Sequence, residues 1–152
     1  MLHTKQREAL VKEAREWRNT PYRGWSRAKF WGTDCIGLVV GVYQNCGFIT
    51  AEEADRAIPK GYSLQIGQHQ ADTEYISGIA KYFDEIPEVE LRPGDVVMFK
   101  LKTGHAFAHS GIVTQWPLMI HAVAHGGVRD ADALRHPLLL GAARRCFTLK
   151  GR

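Results

Sequence analysis

Apolar residues recur at helical spacing in the first half of the chain and at strand spacing in the second. The first helical face consists of four residues: Leu10, Val11, Ala14 and Trp17. This face predicts a helix from Thr4 to Arg18. The helix is expected to end before Pro21, because proline disfavours helical geometry in the residue that precedes it.

A second helix follows the short motif Thr33-Asp34-Cys35-Ile36-Gly37. The apolar run from Ile36 to Tyr43 has helical spacing, and Thr33 or Asp34 can cap it. Gly47 is a natural end, since glycine readily takes the left-handed conformation that terminates helices. Cys35 then lies in the first turn, where the helix dipole favours the nucleophilic thiolate. The motif is therefore the first place to look for chemistry.

Residues 48–90 carry the weakest pattern. Thr50, with Glu53 three residues later, predicts a capped helix start, and another helix is predicted from Ala71 to Tyr82. The segment is long enough to act as a lid over a cleft, an interpretation that rests on its position alone.

Beyond residue 92 the pattern becomes that of strands. The strand candidates are Val96 to Leu101, Ala108 to Gln115, Leu118 to Ala124 and Ala142 to Leu149. His125-Gly126-Gly127 predicts a tight turn. Helices first and strands later, without regular alternation, indicate an α+β fold in which helices pack on an antiparallel sheet. With 152 residues and no linker, we expect one domain over residues 1–152.

Composition narrows the function classes. Lysine and arginine outnumber aspartate and glutamate by 20 to 16, and this small excess is mostly scattered, so no nucleic-acid binding is expected. No apolar stretch is long enough to span a bilayer, which argues against membrane insertion. The polar N-terminus lacks the apolar segment of a signal peptide, so we expect synthesis in the cytoplasm and delivery by other means if the protein acts outside.

A nucleophilic cysteine needs a base, and the base needs a polar group to orient it. His109 begins one predicted strand and His121 lies within the next. If these strands are antiparallel neighbours, both imidazoles can face the same side near one end. A helix carrying Cys35 and packed across that end would complete a Cys–His–His arrangement.

Other interpretations of these residues stay open. Cys35 can be an inert buried thiol, His121 a core histidine with its hydrogen bonds satisfied, and Asp34 only a helix cap. Among the aromatic residues of the loop after the first helix, we favour Tyr22 as lining a cleft. The two tryptophans of that loop, Trp25 and Trp31, can line the cleft or belong to the core.

A zinc site is the main alternative for the histidines. His105 and His109 are four residues apart, and His121 and His125 repeat this spacing. Four-residue spacing joins ligands on a helix, but residues so spaced on extended chain lie far apart, so no metal is expected. His105 and His125 are expected to be exposed loop residues near the cleft. The other histidines, His3, His69 and His136, carry no signal.

Taken in order, these segments resemble the NlpC/p-sixty family of cysteine peptidases. The similar segments are Pro21-Tyr22, Thr33 to Val39, Leu91 to Phe99, His109 to Val113 and Met119 to Ala122. The resemblance implies a papain-like α+β fold and no metal or organic cofactor. It also implies cleavage of an amide in peptidoglycan stem peptides, typically between γ-D-glutamyl and a diamino acid such as diaminopimelate.

Matching positions imply a role for each site residue. Cys35 would be the nucleophile, His109 the base and acid, and His121 the orienting group. Tyr22 and Asp34 would bind substrate, with Asp34 facing the amino end of the stem peptide.

The resemblance also leaves alternatives. The family usually has serine after the cysteine, where this chain has Ile36, so the exact substrate stays open. The chain looks most like the phage-type branch, which implies phage-tail or gene-transfer-particle proteins as partners and action on the cell wall after delivery. A tail-tip or assembly protein with little activity, and an acyltransferase or amidase of the same fold, are the other hypotheses.

Overall fold

The computed structural model describes residues 1–58, 71–101 and 107–151. The helices are α1 (Thr4–Glu16), α2 (Cys35–Asn45), α3 (Ala51–Ala57) and α4 (Ala71–Ala80), and Glu88–Glu90 form one 3-10 turn. The strands are β1 (Arg27–Ala28), β2 (Gly32–Thr33), β3 (Phe83–Ile86), β4 (Val96–Lys100), β5 (Phe107–Gln115), β6 (Leu118–Val123), β7 (Gly127–Asp132) and β8 (Ala143–Leu149). Strands β3 to β8 form one antiparallel sheet in the order β3-β8-β4-β5-β6-β7. The α+β prediction is confirmed.

The helix predictions hold, with small shifts at the ends. The predicted apolar face of α1 is buried, although the helix ends two residues earlier than expected. The side chain of Thr50 accepts a hydrogen bond from the backbone of Glu53, and the Glu53 side chain accepts one in return, so the capping prediction for α3 is correct. Helix α4 stops at Ala80, two residues short of the predicted end.

Two strands of the sheet and a small hairpin were absent from the prediction. β3 and β7 are the two edge strands, and each carries acidic or basic side chains that obscure an apolar pattern. β1 and β2 form a two-stranded hairpin, pairing Arg27 with Thr33, in a segment expected to be loop. Such short strands give almost no periodic signal.

The core lies on both faces of the sheet. One cluster joins α1 and α2 to the sheet, and includes Leu10, Leu38, Tyr43, Ile112 and Ile120. Every residue of α2 from Cys35 to Tyr43 is buried, so this helix is central and its position is fixed on all sides. A second cluster covers the opposite face, and includes Val97, Phe99, Met119 and Leu139.

A buried ion pair connects α1 to the start of β4. Arg7 Nη1 lies 2.8 Å from Asp95 Oδ1, and the two side chains are 6% and 0% exposed. Asp95 Oδ2 accepts the backbone N–H of Arg92 at 2.9 Å, which places Asp95 in the turn that begins β4. Among the described helices, none is both long and apolar enough to cross a bilayer.

Candidate active site

Asp34 fixes the start of the helix that carries the cysteine. Its Oδ1 accepts the N–H of Gly37 and its Oδ2 accepts the N–H of Trp25, each at 2.8 Å. The residue is 1% exposed. Of the two predicted caps, Thr33 and Asp34, the structure has Asp34, and the same carboxylate holds the loop that precedes the helix. Contact between Asp34 and substrate stays a prediction.

Gly37 permits the hairpin to lie directly on the first turn of α2. A Cβ atom at this position would be 2.2 Å from the carbonyl oxygen of Ser26 and 2.7 Å from Thr33 Oγ1. No real side chain fits at these distances, so the glycine of the motif is required by packing. The neighbouring Ile36 is 6% exposed and belongs to the first core cluster.

The Cys35 thiol lies against β5, the strand that carries His109. Its Sγ donates to the carbonyl oxygen of Ala108 at 3.4 Å, and Ala108 directly precedes His109. Ser110 Oγ donates to the Cys35 carbonyl at 3.4 Å and lies 2.9 Å from the hydroxyl of Tyr75 on α4. A chain of polar contacts therefore joins α2, β5 and α4 at the cysteine. No pattern in the sequence pointed to Tyr75, because its contact with Ser110 depends on how α4 packs.

The two histidines meet as the strand pairing requires. His109 Nε2 and His121 Nδ1 are 2.8 Å apart, and the residues are 1% and 0% exposed. The register of β5 with β6 pairs Gly111 with His121, which brings the ring of His121 beside that of His109. A Cβ at Gly111 would lie 2.7 Å from Met119 Sδ, so this glycine allows the close pairing. The catalytic roles of the histidines stay predictions.

Burial reverses the charge state expected for the cysteine. Burial raises the pKa of the Cys35 thiol to about 12, and the nearby Asp34 carboxylate adds to the rise. The expectation that the helix dipole favours thiolate is wrong for this state, because desolvation opposes any charge on a buried sulfur.

The imidazoles are also held neutral. Burial, together with the charge of His136, lowers the pKa of His109 to about 4. Burial lowers the pKa of His121 to about 3, with added effects from His109, His136 and Arg129. These shifts favour a neutral thiol on α2 and two neutral imidazoles on β5 and β6 at neutral pH.

Tyr22 lies beside the cysteine at the edge of a polar pocket. Burial raises the pKa of its phenol, and the Cys35 and Asp34 groups are near enough to raise it further. Tyr22 lines a pocket of about 360 Å³ together with His125 and the residues between Asn19 and Pro21. Tyr22 therefore lines a pocket, but its place in a catalytic cleft stays a prediction. His125 is exposed, as expected.

The remaining candidates are placed as follows. Trp25 and Trp31 are 63% and 81% exposed, which excludes a core role for both. His105 and His69 lie outside the described residues, and so does the middle of the proposed lid, residues 59–70. In the part of the chain that the structure describes, no group of three or more His, Cys, Asp or Glu could hold a metal ion.

Sequence reasoning also missed His136. Its ring packs against that of His121 with the centroids 5.2 Å apart and an angle of 87° between the planes. His136 follows β7 in a turn, and no spacing in the sequence connects it to His121.

Comparison with known proteins identifies the family of this chain. The model of the NlpC/P60 family matches residues 19–140 of this chain. A search of curated proteins gave no match.

Solved structures share the fold at low identity. The NlpC/p60 domain of the peptidoglycan hydrolase SagA is 18% identical with a TM-score of 0.62, over 91% of this chain and 96% of that domain. An N-acetylmuramoyl-L-alanine amidase from Bacteroides uniformis is 12% identical with a TM-score of 0.66, over 97% of this chain and 100% of the amidase. RipD from Mycobacterium tuberculosis, described as a non-catalytic NlpC/p60 domain protein adapted to peptidoglycan binding, is 11% identical with a TM-score of 0.57, over 96% and 98%. Several other matching structures are longer, and the chain spans only 39% to 47% of them.

Proposed function

Because the chain belongs to the NlpC/P60 family, we propose that it is a cysteine endopeptidase that hydrolyses an amide bond in peptidoglycan stem peptides. One observation carries the proposal: the thiol at the start of α2 lies against the strand that presents His109, and His109 is hydrogen-bonded to His121. We propose the bond between γ-D-glutamyl and a diamino acid as the one cleaved, on the motif resemblance.

The reaction follows from the neutral state of the site. The Cys35 sulfur attacks the amide carbonyl carbon while its proton passes to His109, and His121 holds the His109 ring in position. The C–N bond then breaks, and His109 returns the proton to the departing amine. Water, deprotonated by His109, attacks the thioester carbon, which releases the acid and restores the thiol. The backbone N–H of Cys35, at a helix start, is the oxyanion donor we propose.

The substrate contacts are proposals of the same kind. Tyr22 lies near the cysteine and lines the adjoining pocket, so a substrate bound there would meet its hydroxyl. Asp34 can contribute negative potential toward a substrate amine. Both of its oxygens already accept backbone N–H groups, so a direct contact would have to share an oxygen.

Digestion of purified sacculi tests the proposal. Wild type, Cys35→Ala and the control Cys46→Ala are incubated with sacculi of the diaminopimelate type, and soluble products are analysed by mass spectrometry. Cys46 is a free cysteine just after α2, with its Sγ 3.6 Å from the Ala9 carbonyl. Release of stem-peptide fragments by wild type and Cys46→Ala, but not by Cys35→Ala, is expected. No release, or equal release by all three proteins, contradicts the proposal.

A second candidate is peptidoglycan binding without cleavage. The observation that favours it is the Cys35 thiol, which is 8% exposed and has a pKa near 12. RipD shows that the fold accompanies such a role elsewhere. Wild type that sediments with sacculi but releases no fragments would support binding and refute hydrolysis.

The wider assignments are proposals that rest on the motif resemblance. We propose a phage-type protein that reaches the cell wall as part of a tail or gene-transfer particle. Detection of the chain in purified particles would support this, and its absence from particles of the producing strain would refute it. If the chain is instead an acyltransferase of the same fold, it should transfer the acyl group to an added amine faster than it hydrolyses the substrate.

A further inference from the structure

A third histidine lies behind the paired imidazoles. His136 sits in the turn after β7, and its ring packs edge-to-face against His121. Charge on His136 contributes to the lowered pKa of both His109 and His121, which places all three rings in one electrostatic unit. The proposed hydrolysis uses Cys35, His109 and His121, but not His136.

The turn holds the His136 ring in a defined orientation. Its backbone N–H donates to the Asp132 carbonyl at 2.9 Å, and its own carbonyl accepts from Leu139 and Leu140 at 2.9 and 2.8 Å. Its Nδ1 accepts the backbone N–H of Leu138 at 3.2 Å. The neutral ring therefore carries its hydrogen on Nε2.

His121 needs support on the side that faces away from His109. Its Nδ1 pairs with His109, whereas its Nε2 is buried and has no hydrogen-bond partner within the described ranges. A half-turn of the ring about its Cβ–Cγ bond would replace Nδ1 by carbon and break the pairing. A second ring packed at right angles against His121 restricts that rotation, because interiors are packed too densely for a ring to turn freely.

We propose that His136 is a positioning residue, which holds His121 in the orientation that orients His109 for proton transfer. The proposal rests on the proposed function. Among the described residues, the charged or titratable groups that act on the imidazole pair are Arg129 from β7 and His136 from the turn. Cys35 from α2 contacts the Ala108 carbonyl, next to His109 in β5. Of these groups, only His136 packs its own ring against the ring of His121.

Two substitutions at one position separate packing from charge. His136→Ala removes the ring, and His136→Phe retains a ring without nitrogen or charge. Arg135→Ala is the matched control, because it removes a cation from the same turn. The Arg135 side chain is 89% exposed. Steady-state kinetics of fragment release are measured from pH 4 to 9 for all four proteins, with thermal unfolding as a check on folding.

The expected results differ for each variant. His136→Ala should lose about tenfold in kcat with KM nearly unchanged, a part of what a general base contributes. His136→Phe should recover most of kcat. In both variants the acid limb of kcat/KM should move to higher pH, because loss of the like charge on His136 raises the pKa of His109. A wild-type pH profile and kcat in both variants, or an Arg135→Ala profile that shifts as much, overturns the proposal.

A spectroscopic measurement keeps this test separate from the proposed function. Nitrogen-15 spectra of the imidazoles should show His121 as a single tautomer with hydrogen on Nε2, because His109 must donate from Nε2 to leave its Nδ1 free to accept the thiol proton. His136→Ala should broaden or mix the His121 signals, and His136→Phe should not. If wild type releases no fragments, the function fails while this spectrum still decides the positioning role. Unchanged His121 signals in His136→Ala refute it.

Discussion

Acidification from pH 7 to pH 5 should destabilise this protein. The cause is the pair His109 and His121, which the fold keeps buried and neutral. In the unfolded chain both imidazoles have an ordinary pKa near 6.5, whereas burial holds them at about 4 and about 3 in the fold. Below pH 6.5 the unfolded chain therefore binds protons that the folded chain excludes. Stability is present above pH 6.5 and declines as the pH falls toward the folded pKa values.

The size of the effect follows from the pKa difference. Each pH unit in this window costs about 1.4 kcal/mol for each ring, because that is the free energy of one pKa unit. Between pH 6.5 and pH 5 the unfolding free energy should fall by about 2 kcal/mol for one ring and about 4 kcal/mol for both. Glu85 and Glu88, whose pKa values are lowered by Arg145 and Arg144, stay ionised throughout.

Urea unfolding at pH 7, 6 and 5 measures this dependence. His121→Asn removes one titrating ring and retains a group that can bond to His109, so the loss between pH 7 and pH 5 should be about halved. His125→Asn is the matched control: His125 is exposed with φ of 65°, a conformation that asparagine tolerates, and its dependence should equal that of wild type. An unfolding free energy for wild type that changes by less than about 0.5 kcal/mol between pH 7 and pH 5 would refute the reasoning.

Two further substitutions test the packing around the site. Gly37→Ala should destabilise the protein by about 1–3 kcal/mol, because the new methyl group meets the Ser26 carbonyl at 2.2 Å. A melting temperature equal to that of wild type would contradict this. Asp95→Ala should cost about 3–5 kcal/mol, since it leaves Arg7 buried without its carboxylate. The double variant Arg7→Met/Asp95→Ala should recover most of that loss in denaturant unfolding, and no recovery would exclude the ion pair as the cause.

The features that the sequence predicted are those with local causes. Asp34 and Gly47 mark the ends of α2 through local interactions: the Asp34 side chain caps the first turn, and Gly47 follows the last turn with φ of 77°. His109 and His121 were brought together because strand periodicity and a two-residue connection leave little choice of pairing. The order of helices and strands then indicated the α+β class, and the motif resemblance implied the papain-like fold.

The features that escaped prediction depend on contacts between distant segments. Tyr75 meets Ser110, and His136 meets His121, only after α4 and the turn behind β7 have packed. The prediction of a thiolate at Cys35 failed for the same reason. A helix N-terminus is visible in sequence, but the burial that raises the pKa of the thiol is a property of the assembled core.

The neutral site restricts how the thiol can react. The pKa of Cys35, about 12, lies far above that of His109, about 4, so the order is opposite to that of a resting thiolate–imidazolium pair. We therefore expect the proton to move as the sulfur–carbon bond forms, which requires His109 to be oriented before the attack begins. The orientation of His121, and the contact with His136 that we propose to maintain it, should therefore affect the rate more than in a site that already holds a thiolate–imidazolium pair. Hydrolysis requires the Cys35 thiol to lose its proton to an oriented imidazole when substrate is bound. Peptidoglycan binding without cleavage does not require this step.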